Sequence, residues 1–222
     1  MEFLERFLAF PWDQIPYVII TLVIAFTIHE FAHAFVAYKF GDPTAKNQGR
    51  LTLNPLQHLD PFGTILIFIM GFGWARPVPV NRFFFKNPKL AGILVSVAGP
   101  VSNLILSLIA LTILYGLAGA GILAGLPVYV LEFLELFISL NIVLFVFNLL
   151  PFPPLDGYRI IEDLAPSHIR VKMSQYENYG SLIFLILVIT PLDQYTIQPI
   201  FSFILPGLMS DLHEFFYQLF IA

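Results

Sequence analysis

Apolar residues fall along this chain in long blocks rather than in alternation. Residues 15–38 carry one formal charge, Glu30. At 1.5 Å per residue, a helix of that length reaches about 36 Å, enough to cross a bilayer core. No charged residue lies between Lys89 and Glu132. The first part of that block, Leu90 to Tyr115, predicts a second spanning helix. Gly116, Gly119, Gly121, Gly125 and Pro127 then predict a turn. A third span is expected over Val128 to Leu150, ended by Pro151, Pro153 and Pro154. A fourth is expected from about Met173 to Thr190, closed by Pro191. Two further apolar stretches are less regular. Phe62 to Trp74, with three glycines, is too short to cross and suits a half-inserted or surface-lying segment. Gln198 to Ala222 is interrupted by Pro199, Pro206 and Gly207, carries Asp211 and Glu214, and reads as a last span or an interfacial helix.

Composition sharpens this reading. Hydrophobic residues make up 58% of the chain and charged residues 12%, against roughly 25% charged in an ordinary soluble domain. Mean hydropathy is +0.81. A soluble fold of 222 residues cannot hide that much apolar surface, so a soluble globular enzyme is excluded. The expected fold class is an all-α polytopic membrane protein. It has about four to six transmembrane helices, a short cytoplasmic strand/loop region and a re-entrant or surface segment. Residues 1–222 are expected to form one domain. Cysteine is absent, which removes disulfides, Cys-ligated metals and thiol nucleophiles. The net charge of −4 and the lack of a basic stripe give no sign of nucleic acid as a partner. Glu2, Glu5 and Asp13 give the start the wrong sign for a positively charged leader.

Charge also sets orientation. Of the 11 basic residues, ten lie in 39–89 and 151–172, and Arg6 is the exception. The positive-inside rule puts both segments in the cytoplasm, and the N-terminus and the glycine-rich turn outside.

Within the first span, His29-Glu30-Phe31-Ala32-His33 matches H-E-x-x-H. On a helix, positions i and i+4 share a face, so both imidazoles can reach one ion, and the intervening Glu can take a proton from metal-bound water. A chain of this composition would match by chance about 0.4% of the time, the background such a motif must beat. Three ionisable side chains inside a span are costly to bury and mark function of some kind.

Zinc needs a third protein ligand and an open fourth position. Asp156 is the candidate, and it has a competing reading as the N-cap of a short amphipathic helix bearing Ile160, Ile161 and Leu164. Depth separates the two. Counting helix rise from the cytoplasmic edge near Tyr38, His33 and His29 lie about 7 and 14 Å down. The third span descends to the same edge near Leu150, so a turn can bring Asp156 to the histidines. Gly99 and Asn103 of the second span lie about 14 to 20 Å in, at a similar level.

His29-Glu30-Phe31-Ala32-His33, then Asn148-Leu149-Leu150-Pro151 and Leu155-Asp156-Gly157, resemble the site-2 protease family of intramembrane zinc metalloproteases. Gly99-Pro100-Val101-Ser102-Asn103 and Asn54-Pro55-Leu56-Gln57-His58-Leu59-Asp60-Pro61-Phe62-Gly63-Thr64 agree with it in order. The resemblance covers a core of about residues 16–164, leaves 165–222 as C-terminal helices, and leaves no room for a PDZ domain. It implies one Zn2+ per chain held by His29, His33 and Asp156, with Glu30 as general base. Asn148 and Asn103 are implied to orient substrate or the tetrahedral intermediate. Single-span membrane proteins are the implied substrates and the plasma membrane the implied location, with the site in the cytoplasmic leaflet.

Other features stay open at this level. Trp74 to Asn81 is either an exposed strand edge that pairs with unwound substrate or a proline-rich surface loop. His58 reads as an exposed loop residue beside Asp60. His168 and His213 carry no reading. A metal-ion or proton transporter using the His/Glu/Asp cluster as a relay, and an inactive scaffold, are the competing functions. Transporters usually show two related halves with broken helices, and no internal repeat is visible here.

Overall fold

A computed structural model describes residues 9–71 and 73–222, so Glu2, Glu5 and Arg6 lie outside the described residues. Nine helices occur among them: α1 (Ile15–Lys39), α2 (Thr44–Asn47), α3 (Pro61–Met70), α4 (Pro88–Gly119), α5 (Val128–Asn148), α6 (Asp156–Leu164), α7 (Ser167–Ile189), α8 (Asp193–Thr196) and α9 (Gln198–Phe220). The described residues contain no sheet, only one antiparallel bridge between Leu59 and Ala75. The all-α class is therefore as expected, and of the two readings of Trp74 to Asn81, strand edge or proline-rich loop, the described residues show an extended loop with a single bridge at Ala75.

Among the described residues three helices, α1, α4 and α5, are long and apolar enough by length and composition to cross a membrane, against about four to six expected. The reason lies in α7 and α9. Each has 23 residues, but the first half of α7 is polar, and α9 carries Asp211, His213 and Glu214. The lipid-facing sides are plain in α1 and α4. Ile19, Ile20 and Ile24, and Ile105, Ile109 and Ile113 at helical spacing, stand out from the packed body. Such stripes suit a bilayer, where burial against protein is not needed. The chain is a multi-pass membrane protein.

Local chemistry sets the helix ends. Asp60 Oδ1 accepts from the Gly63 N–H at 2.8 Å and Asn87 Oδ1 from the Leu90 N–H at 3.2 Å, each followed by proline in the first turn. Gly71 closes α3 in the left-handed region, at φ +72°. At ten residues, α3 is too short to span, as expected of a half-inserted or surface-lying segment. It buries Ile67 against Val18, Leu22 and Phe26 of α1 and leaves Phe62, Ile65 and Ile69 exposed. Helix α4 continues past Tyr115 to Gly119, beyond the expected end. A Cβ at Gly119 would run into the Phe220 carbonyl, so the glycine serves the seating of α9 rather than breaking α4.

Helix α4 is the hub, packed on α1, α5, α6 and α9. Its outer half meets α5 and α9 in an apolar cluster around Leu111, Leu114, Ile138, Ile142 and Phe216. Its inner half carries small and polar residues instead: Gly92, Ser96, Gly99, Ser102 and Asn103, all buried. The contrast marks where the molecule does chemistry.

Candidate metal centre

His29 and His33 lie one turn apart on the buried face of α1. The partners of their Nδ1 atoms come from α4. His29 Nδ1–H donates to Asn103 Oδ1 at 2.7 Å, and His33 Nδ1–H donates to the Val95 carbonyl at 2.7 Å. Asn103 Oδ1 and the Val95 carbonyl both accept, so each Nδ1 carries a hydrogen, and in a neutral ring Nε2 is then the atom left to bind a metal. The two Nε2 atoms are 3.0 Å apart. Both Nε2 atoms thus point into one space.

Asp156 completes the cluster. Its Oδ2 lies 3.2 Å from His29 Nε2 and 3.3 Å from His33 Nε2. Oδ2 has no hydrogen-bond partner among the described residues. Three ligand atoms of a tetrahedral zinc, at 2.0–2.1 Å from the ion, stand about 3.3 Å apart. The observed triangle fits that spacing, and its donor set of two imidazoles and one carboxylate is of the catalytic zinc type. The N-cap reading of Asp156 fails: Leu155 is the cap of α6, and the carboxylate makes no capping bond.

Glycines let the parts approach. A Cβ at Gly99 would stand 2.6 Å from His29 Cε1 and Nε2, and closer still to His33 Nε2. A Cβ at Gly157 would stand 2.5 Å from the Leu150 carbonyl oxygen and press into Leu149, so glycine there allows α6 to start against the turn that delivers Asp156. Pro100, inside α4, lacks the N–H that would bond the Ser96 carbonyl, and Ser96 lies beside the site.

The cluster opens onto a cavity of about 660 Å³ lined also by Phe26, Glu30, Val78, Leu144 and Asn148. Glu30 is buried on its wall, and its Oε2 accepts from the Val78 N–H at 3.0 Å. Asn148 is half-buried on the same wall. One Nδ2 hydrogen goes to Leu144 O of its own helix, at 2.9 Å, and the second is available to the cavity. Five of the six predicted site residues, His29, His33, Asp156, Glu30 and Asn148, thus face one space. Asn103 departs from expectation. It is fully buried behind His29 and holds that ring instead of facing substrate.

Residues 74–81 run extended along the cavity, tethered on one side. The Arg76 N–H donates to the His58 carbonyl at 2.7 Å, Arg50 Nη2 donates to Arg76 O at 2.5 Å, and the Asn81 N–H donates to Asp42 Oδ2 at 2.6 Å. His58 is therefore buried rather than exposed, donating Nε2–H to Thr52 O at 2.8 Å. The loop folds back beneath the extended segment and makes His58 its inner partner. Burial holds the Arg50 guanidinium below its ordinary range. Arg50 and Asn141, also buried, carried no sequence prediction. The signal for Asn141 was its isolation as a polar residue inside an apolar span.

Beyond the site, Arg82 pairs with Asp163 at 2.5 Å and Glu162 at 3.4 Å, tying the end of the extended segment to α6.

Comparison with known proteins agrees with this geometry. Peptidase family M50 matches residues 17–131 and 126–191. The chain is similar to "Putative zinc metalloprotease YwhC" of Bacillus subtilis (strain 168), at 60% identity over 201 residues, 90% of this chain and 92% of that protein. It is 31% identical over 177 residues to "Putative zinc metalloprotease Rip2" of Mycolicibacterium smegmatis and 32% over 178 to the Mycobacterium tuberculosis (strain ATCC 25618 / H37Rv) protein of that name. Those two alignments cover 76% of this chain and 65% of each relative. No solved structure matches.

Proposed function

Since the chain belongs to peptidase family M50, the site-2 protease family of zinc metalloproteases, we propose that it hydrolyses peptide bonds of single-span membrane proteins within the bilayer, at the cluster of His29, His33 and Asp156. The observation that carries the reading is the convergence of three possible ligand atoms, two imidazole nitrogens and a carboxylate oxygen, on one point, beside a buried carboxylate on the same cavity wall. The basic segments 39–89 and 151–172 support a reading with this point in the cytoplasmic leaflet of the plasma membrane.

His29 Nε2, His33 Nε2 and Asp156 Oδ2 would hold the ion. Zinc bound there supplies Lewis-acid activation of water and of a scissile carbonyl. Glu30 takes the proton from the attacking water on Oε2 and returns it to the leaving amine. Oε2 can keep the Val78 N–H bond meanwhile, because a carboxylate oxygen has a second lone pair. Asn148 gives its free Nδ2 hydrogen to the oxygen that gains charge.

A helical substrate hides its carbonyls and must unwind before attack. Residues 74–80 offer an extended template along the cavity. Pro77 and Pro79 have no N–H to give, so substrate laid along them donates its own N–H groups to their carbonyls.

Glu30→Gln separates binding from chemistry. The variant should retain about one zinc per chain and lose cleavage of a single-span substrate in liposomes. Cleavage at the wild-type rate would remove Glu30 as the base. Zinc-free wild-type protein after careful purification would remove the metal site itself.

A further inference from the structure

The polar contacts behind His29 do not end at Asn103. Asn103 Nδ2 donates to Asn141 Oδ1 of α5 at 3.1 Å, and Asn141 Nδ2 donates to the Phe137 carbonyl at 2.9 Å. A second, longer contact runs from Asn103 Nδ2 to Ala25 O at 3.4 Å. Both asparagines are fully buried, so no water can substitute for a missing partner.

The order of these bonds has a direction. An amide side chain has two faces of similar shape, one donor and one acceptor, and can sit either way round. A backbone carbonyl has no such choice: it only accepts. Phe137 O therefore fixes Nδ2 of Asn141 toward itself, which turns Oδ1 of Asn141 toward α4. That oxygen and Ala25 O both require a donor from Asn103, so Nδ2 of Asn103 faces them and Oδ1 faces His29. His29 Nδ1 must then carry the ring hydrogen, leaving Nε2 bare toward Asp156 and His33. Each bond donates in the same sense, so each polarises the next.

On the metal reading of the cluster, we infer that Asn141 is a positioning residue for the zinc ligand His29, acting through Asn103 from a third helix. Without Asn141, the Asn103 amide loses its main reason to keep one orientation. Turned over, it would present a donor to His29 Nδ1 and favour the tautomer with hydrogen on Nε2, which cannot bind metal. Partners behind a ligating imidazole typically govern about 10- to 100-fold in metal affinity. The ordinary alternative is an interhelical hydrogen bond that only holds α4 to α5.

A double-mutant cycle on zinc affinity distinguishes them. The full chain in detergent is titrated with zinc against a competing chelator, for wild type, Asn141→Leu, Asn103→Ala and the double variant. The relay predicts a loss of about 10- to 100-fold for Asn141→Leu. It predicts at least that for Asn103→Ala, and no further loss in the double variant. Asn141→Ser should stay close to wild type, since its hydroxyl can donate to Phe137 O and accept from Asn103. Cobalt substitution gives a second readout: the visible spectrum of a tetrahedral site should weaken in Asn141→Leu and persist in Asn141→Ser. Wild-type affinity in Asn141→Leu, or equal losses with and without Asn103, would overturn the relay while leaving the metal site intact. Failure of the wild type to bind zinc would instead overturn the metal reading, and the relay with it.

Discussion

Gly99→Ala adds a single methyl group to the inside of α4, and the structure shows where it lands. The new carbon would stand 2.6 Å from His29 Cε1 and Nε2 and nearer still to His33 Nε2. That is about 0.8 Å short of the 3.4 Å at which ordinary contact begins. Neither imidazole has room to yield, because Asn103 and the Val95 carbonyl hold their Nδ1 atoms from behind. Metal ligands tolerate displacements of only about 0.2 Å. A retreat of several times that tolerance should cost at least about 10- to 100-fold in zinc affinity, or about 1.4–2.8 kcal/mol. Overpacking a dense interior costs about 1–3 kcal/mol of stability as well. The assay is zinc content and chelator competition on purified protein, with a thermal melt in parallel. Gly116→Ala is the control on the same helix: its Cβ would meet nothing closer than Phe220 Cε1 at 3.8 Å. It should keep zinc and gain roughly 0.5–1 kcal/mol of helix stability. If Gly99→Ala bound zinc as wild type does, the ion would not sit between these histidines, and the reasoning from their spacing would be wrong.

Three further outcomes follow from the same structure. Gly157→Ala should displace Asp156 by forcing α6 away from the Leu149 and Leu150 carbonyls, and so lower zinc content; unchanged zinc would detach Asp156 from the site. Arg50→Ala should release one tether of the extended segment, worth about 1.5–3 kcal/mol for a charged hydrogen bond. Amide exchange at Arg76 and Val78 should quicken while α4 stays protected, and uniform exchange would refute a local tether. Burial holds the Asp163 carboxyl above its ordinary 3.8, opposed by Arg82 and Arg170. A raised folded pKa means its contribution to stability is full below pH 3.8 and is lost as pH rises through the folded value. The Tm difference between wild type and Asp163→Asn should therefore move in favour of the variant as pH rises from about 4, and a constant difference would exclude the linkage.

Much of this site was readable in one dimension because its parts are local or periodic. His29 and His33 share a helix face by spacing alone, and depth counted in helix rise already placed Asp156 and the second span at their level. The long-range partners were not readable for the same reason. Nothing in the sequence around Asn103 tells whether its amide faces substrate or the back of a histidine, because that depends on how α1 and α4 are rotated about their axes. His58 reads as a loop residue since loops usually lie outside. It is buried because a second extended segment, 16 or more residues later, needs its carbonyl for the Arg76 N–H. Among the described residues, α7 and α9 do not qualify as spans because their polar residues dilute otherwise sufficient length.

The distribution of small residues along α4 links fold to chemistry. Toward its outer end, large side chains pack α5 and α9 and make the helix a strut. Toward its inner end, Gly92, Gly99 and the Val95 carbonyl leave the surface bare of bulk, and three different groups come in to touch it: Asp163 at Gly92, and the two imidazoles at Gly99 and Val95. A helix that only crossed a membrane would gain more dispersion contact from Leu or Ile at those positions. Trading that contact for space makes sense only where groups from other helices must meet at fixed positions. Asp163 sits on the same helix as Asp156 and is clamped by Arg82, at the end of the extended segment whose Val78 bonds Glu30. Asp156 and Glu30 are therefore fixed by one mechanical unit anchored on α4. Loosening Arg82 should disturb both, raising amide exchange at Val78 and lowering zinc affinity together. If one changed without the other, the segment and α6 would be independent, and α4 would be a common neighbour rather than their anchor.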